Sequence, residues 1–226
     1  MNPITKAAKR VWFGVAPELR KSRFHTQKGQ FTLNSFRQAA DLAAAMATGL
    51  ARKAAGVRPA LPWITFPAIR FLKRRLTPES RVFEWGSGMS TIWFERRCRE
   101  VWAVEDDPAW HARITALARK AKVVLLEGKA YVERMLDFPA GYFDLISVDG
   151  SYRLDCFRLA LAHVGPGGLL LIDNTDNDRT THGDLFVIDR TLEVLGPEWE
   201  VYSFPGWGPG NFFFWETTIC VRNSRA

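Results

Sequence analysis

Two glycines one residue apart, framed by an acid and small hydroxyls, stand in the run Glu84, Trp85, Gly86, Ser87, Gly88, Met89, Ser90. Glycine has no Cβ, so backbone at such a turn comes close to a bound group. The apolar residues before it and the helix-like residues after it describe a strand, a tight turn and a helix N-terminus. That N-terminus offers unpaired N–H groups and the positive end of a dipole. A second apolar run at 101–104 ends in Glu105, Asp106 and Asp107, about 20 residues on, where an acid can take ribose hydroxyls. Later apolar runs end in Asp149 and in Asp173, which Asn174 and Thr175 follow. Asp149, Asp173 and Asn174 are three hard oxygen donors suited to a divalent cation, Mg²⁺ before Ca²⁺ or Mn²⁺. As turn-forming residues, Asp and Asn would equally serve to end a buried strand. Tyr152 is a candidate to orient a substrate or accept its proton, and His182 is a candidate general base.

A dinucleotide site would add a third glycine, but Thr91 stands in its place. Glu84 is also a poor neighbour for a pyrophosphate and a good one for a cationic group. Both points weigh against a nicotinamide-dependent oxidoreductase. An acid before the glycines and another on the second strand suit S-adenosylmethionine, with its amino-acid head, sulfonium and ribose.

On these residues the chain resembles the class I S-adenosylmethionine-dependent methyltransferases over about 76–222. The resemblance implies that Glu84, Trp85, Gly86, Ser87, Gly88, Ser90, Glu105, Asp106, Ala130 and Asp149 bind the cofactor. Asp149 with Asp173 and Asn174 further resembles the cation-dependent O-methyltransferases of catechols and caffeoyl-CoA. There the matching residues hold a divalent ion that lowers the pKa of the substrate hydroxyl. The lysine base of that group is replaced here by Tyr152, with Arg153 beside it. The implied activity is O-methylation of a small molecule. No amine-methylating Asn-Pro-Pro-Tyr signature follows Asp149.

The elements that must position these residues alternate. Apolar runs at 82–85, 101–104, 122–126, 143–148 and 168–172 alternate with helical candidates at about 90–98, 108–120, 130–136 and 153–163. Unbroken apolar strands suit a parallel sheet covered on both faces. The expectation is a doubly wound, mostly parallel, seven-stranded α/β fold. A helix at 184–195 and an antiparallel hairpin at 198–204 and 216–221 complete it. The hairpin loop at 205–215 is rich in glycine and aromatics, and reads as a lid over the sheet edge or as core beneath the N-terminal segment. Upstream, Ser35 caps a helix to about Ala55, and 62–76 reads as a helix that Pro67 kinks or restarts.

The division expected is a basic, mostly helical extension at 1–75 and a cofactor-binding domain at 76–226. The first carries 15 Lys/Arg against 2 Asp/Glu, and the second 16 against 22. That asymmetry places the net charge of +7 in the extension. Such an arm, with Trp12, Phe13, Phe24 and Phe31, suits nucleic acid, an anionic membrane or a protein partner, or serves as a solvated cap. A methyltransferase-like protein that binds through this arm without catalysis is the alternative reading. The three cysteines, Cys98, Cys156 and Cys220, form neither metal spacing nor a disulfide framework. With no signal-like segment and no membrane-length apolar run, the expected compartment is the cytoplasm.

Overall fold

A computed structural model describes residues 33–176 and 183–224. Five strands run parallel: β1 (Arg81–Trp85), β2 (Glu100–Glu105), β3 (Lys122–Leu125), β4 (Leu145–Val148) and β5 (Leu169–Asp173). The final hairpin, β6 (Trp199–Gly206) and β7 (Trp215–Arg222), adds its second strand antiparallel to β5. The sheet order is β3-β2-β1-β4-β5-β7-β6. The order reverses between β1 and β4, so the carboxyl ends of these two strands form the crevice in which open α/β sheets bind ligands.

Residue type accounts for the layering. Every residue of β4 and β5 is buried, as apolar strands covered on both faces must be. The edge strand β6 is exposed at alternate positions along much of its length. On one face lie α5 (Gly128–Glu133), the 3₁₀ turn Arg134–Asp137, α6 (Arg153–His163) and α7 (Gly183–Leu192). They bury Tyr131, Met135, Phe157 and Ile188 against Phe83, Trp85 and Ile146. On the other face α2 (Phe66–Arg75) and α3 (Met89–Glu95) bury Ile69, Leu72, Trp93 and Phe94 against Val82, Leu145 and Ile219. Beside α3, Met89 and Ile92 pack on Ile114 of α4 (Pro108–Leu117).

The first helix, α1 (Phe36–Ala55), starts where Ser35 accepts a hydrogen bond from Gln38 N–H and ends at Gly56 in a left-handed conformation. It docks through Leu42 and Ala45 onto Trp207 and Phe214. A bidentate pair from Arg70 to Asp41, at 2.7 and 2.8 Å, ties it to α2. Pro67 neither kinks nor restarts a helix begun at Pro62. It lies in the first turn of α2, where its missing N–H removes no hydrogen bond. Thr65 caps that turn and also donates to Phe204 O at 2.8 Å, while Phe66 N–H donates to Trp207 O at 2.7 Å. The segment before α2 is therefore fastened to the C-terminal hairpin. Among the described residues no helix is long and apolar enough to cross a membrane. Trp12, Phe13, Phe24, Phe31 and His182 lie outside the described residues.

Candidate functional site

The crevice at the β1 and β4 ends is a cleft of about 380 Å³. Its floor is the turn from Gly86 to Ser90, with Asp149, Asp173 and Asn174 at the ends of β4 and β5. Gly86 has φ +93°, and a Cβ there would lie 2.8 Å from Gly150 Cα and 2.9 Å from Gly150 N. The β1 and β4 exits thus touch backbone to backbone, which only glycine permits. Gly88 is different: it is extended, and a Cβ would meet nothing nearer than Ser90 Oγ at 3.5 Å. The space beside it opens to the cleft.

Three acids converge here. Glu84 is buried beneath the turn, with Oε2 accepting from Thr91 Oγ1 at 2.7 Å. Burial pushes its pKa up to about 8, Thr91 and Ser90 opposing the shift and the negative charge of Asp149 adding to it. Asp173 is also raised to about 8, by burial and then by Asp149. Its Oδ1 accepts from Trp215 Nε1 at 3.0 Å and from Thr217 Oγ1 at 2.5 Å. Asp149 keeps 32% of its side chain exposed, and its pKa is raised by loss of water against the pull of Arg153.

Arg153 corrects the metal expectation. Asp149, Asp173 and Asn174 do come together at one end of the cleft, but a guanidinium joins them. Arg153 donates from Nε to Gly150 O at 3.0 Å, and from Nη1 to Asp173 O at 2.8 Å and Asn174 Oδ1 at 3.3 Å. Its Nη2 donates to Asp149 O at 3.2 Å and Asp149 Oδ1 at 3.0 Å. Together with the two donors on Asp173 Oδ1, this gives one oxygen of each of the three side chains to a protein donor, with a cation of the protein's own where a divalent ion was expected. Among the described residues no group of His, Cys, Asp and Glu is arranged to hold a metal.

The other expected residues are distributed as follows. Ser87 and Ser90 line the cleft. Glu105 is buried at the end of β2, where both its oxygens are engaged. Oε2 accepts from Ser87 N–H and Oγ at 2.9 and 2.8 Å, and Oε1 from the N–H groups of Asp106 and Asp107 at 3.1 Å each. These four donors fill the capacity of a carboxylate, so Glu105 fixes the glycine turn. Asp106, half-buried next to it, has no donor on its carboxylate among the described residues. Trp85 faces the core, where Nε1 donates to Tyr131 O at 3.0 Å. Ala130 is exposed on α5 and does not line the cleft. Tyr152 is turned toward α5, with its hydroxyl accepting from Gly128 N–H at 3.2 Å and its ring 5.5 Å from that of Tyr131. Tyr152 and Asn174 have φ values of 50° and 62°, strained for non-glycine residues and sited at both strand exits.

Sequence reasoning did not anticipate Trp63 and Trp110 on the cleft wall, where Asn211 and Phe213 of the hairpin loop join them. Trp110 follows Glu105 by five residues at the start of α4, and its Nε1 donates to Ser87 O at 2.7 Å. Its place in the first turn after β2 was a usable signal. The hairpin loop serves both expected roles: Asn211 and Phe213 face the cleft, while Trp207 and Phe214 are core under α1.

No protein-family model and no curated protein sequence matches the chain. Solved structures do share its architecture. An O-methyltransferase from Streptomyces achromogenes, in complex with S-adenosylmethionine and involved in tomaymycin synthesis, is 17% identical over 80% of this chain and 89% of its own, with a TM-score of 0.56. An O-methyltransferase from Bacillus cereus in complex with S-adenosylhomocysteine is 15% identical over 81% and 91%, also at 0.56. An rRNA methylase from Streptococcus thermophilus is 15% identical over 72% and 99%, at 0.53. The chain therefore has the fold of the class I S-adenosylmethionine-dependent methyltransferases.

Proposed function

We propose that this chain is an S-adenosylmethionine-dependent methyltransferase that acts on an oxygen nucleophile of a small molecule without a divalent ion. The carrying observation is the cleft: a glycine turn open at Gly88, with Glu84, Asp149 and Asp173 gathered around it. Glu84 and Asp173, raised to about 8, ionise most readily when a cationic group enters, and the amino group and sulfonium of S-adenosylmethionine match that chemistry. When bound, the cofactor supplies a methyl group activated by the positive sulfur. Gly88 and the hydroxyls of Ser87 and Ser90 would hold its amino-acid end, and Asp106 is the carboxylate available for its ribose. Trp63, Trp110 and Phe213 exclude water and orient the partners, which is most of what such a transfer asks of a protein.

The proton of the acceptor hydroxyl has a destination in Asp149, which lines the cleft and whose carboxylate, its pKa raised by burial, is a better base than an ordinary one. Arg153 keeps it oriented and offsets its charge. Tyr152, engaged with Gly128, is not placed for that role. The two O-methyltransferases of like fold favour an oxygen acceptor, and the cleft's aromatic walls favour a small one.

A thermal-shift assay tests the reading. S-adenosylmethionine and S-adenosylhomocysteine are expected to raise Tm and NAD to leave it unchanged, with the same shifts in EDTA. A shift that EDTA removes would restore the metal and contradict the assignment of its place to Arg153.

A further inference from the structure

Two tryptophans of the cleft wall are stacked with an excess of positive charge that the methyl-donor site does not use. Arg58 stacks on two tryptophans, 5.0 Å from the Trp63 ring centroid and 5.0 Å from that of Trp110. Arg52, from the last turn of α1, lies 5.1 Å over the same Trp63 ring, and Arg113 lies 5.5 Å over Trp110. Both rings also line the cleft beside the glycine turn. Three arginines from three segments thus share two aromatic platforms.

Among the described residues none of the three has an acidic partner within ion-pair distance, although Arg70 and Arg153 both have carboxylate partners. The repulsion is felt: partial burial and the charges of Arg113 and Arg52 lower the pKa of Arg58. Donors are left over as well. Arg52 Nε and Trp63 Nε1 are buried with no acceptor among the described residues. Buried donors are normally paired, so unpaired ones beside an uncompensated charge indicate an absent acceptor. Stacking holds the guanidinium planes in place, and fixed guanidinium forks are suited to oxyanions.

We infer that Arg52, Arg58 and Arg113, held on Trp63 and Trp110, form a binding site for an oxyanion, a phosphate or carboxylate carried by the methyl acceptor. Because the same two rings line the cleft, an anionic group held by these arginines would lie next to the donor site. The identity of the ligand as the acceptor rests on the proposed methyl transfer. The anion site itself does not.

The test is calorimetric titration of the full chain with inorganic pyrophosphate and, separately, malonate, which tell phosphate from carboxylate. Each is repeated on R52Q/R58Q/R113Q and on Arg113→Gln alone, whose exposed position spares the fold. The parent is expected to bind at least one anion. The triple variant should lose about tenfold or more in affinity and Arg113→Gln a smaller part, since each hydrogen bond to a charged group is worth about 1.5–3 kcal/mol. S-adenosylhomocysteine affinity should stay within about twofold throughout. Equal anion binding by parent and triple variant, or none by the parent, would overturn the site. An equal loss of S-adenosylhomocysteine affinity would overturn it too, because the cluster would then serve the donor. Arginine-dependent anion binding without any S-adenosylhomocysteine binding would uphold the anion site and sink only the methyl-transfer reading.

Discussion

Gly86→Val is expected to abolish donor binding and to destabilise the fold by about 3 kcal/mol or more. The new Cβ would lie 2.8 Å from Gly150 Cα and 3.1 Å from the carbonyl carbon of Asp149, and these backbone atoms cannot swing aside. A β-branched residue at φ +93° adds strain of its own. Gly150 is equally intolerant, since a Cβ there would meet the Tyr131 hydroxyl and Gly86 N. Denaturant unfolding reads the loss of stability and calorimetry the loss of S-adenosylhomocysteine binding. Gly88→Ala is the matched comparison. Gly88 is extended and its Cβ direction is open, so the unfolding free energy should change little while affinity drops as the methyl enters the ligand's space. Parent-like stability of Gly86→Val would refute the contact between the β1 and β4 exits. Full affinity in Gly88→Ala would refute the placement of the ligand on the turn.

Arg153→Met is expected to destabilise the fold, by about 3 kcal/mol where both carboxylates are ionised, the low end for removing one partner of a largely buried ion pair. The side chain is 19% exposed and makes five hydrogen bonds, to three carbonyls, Asp149 and Asn174. Methionine fills much of the volume but leaves those acceptors, the half-buried Asp149 and the buried Asp173 uncompensated. The sign of the pH dependence follows. Folded-state pKa values of Asp149 and Asp173 already lie above the unfolded ones, and losing the arginine raises them further. The folded variant then binds more protons than the unfolded chain, so its stability falls as pH rises from the unfolded pKa toward and past about 8. Relative to the parent, whose Asp173 also stays protonated up to about 8, the penalty from lost charge should be small below that pH and grow above it. A penalty independent of pH would mean that Arg153 contributes packing and not charge. Arg153→Lys should recover part of the stability, since a point charge can meet Asp149 but not the spread of carbonyls.

The sheet was legible because its central strands are unbroken apolar runs and its helices lie between them. The start of α1 was legible because Ser35 is a cap. Pro67 was legible as an interruption but not as a helix start, since that depends on Thr65 being fastened to Phe204 and Trp207. In the site, Asp149, Asp173 and Asn174 line one end of the cleft, and a guanidinium is bonded among them where a divalent ion was expected. The sign of the occupant was right, and the occupant, Arg153, stands four residues after Asp149 at the start of a helix. Glu105 was read by its position after β2, yet the N–H groups of Asp106 and Asp107 at the onset of α4 and the Ser87 donors draw its carboxylate inward. Trp63, Asn211 and Phe213 belong to segments outside the alternating pattern. Only the packing of the hairpin against α1 and α2 brings them to the cleft.

The central claim, an acidic cleft that takes S-adenosylmethionine, is tested most directly by calorimetric titration of the full chain with that cofactor and with S-adenosylhomocysteine. It is run in EDTA, in two buffers of different ionisation enthalpy, at about pH 6 and about pH 8. Glu84 and Asp173, with pKa values of about 8, hold protons at neutral pH, and a cationic ligand favours their ionised forms. The account predicts micromolar binding of both compounds, proton release for the sulfonium form and tighter binding at the higher pH. Absence of binding by either compound, or binding with proton uptake and loss of affinity as pH rises, would contradict it.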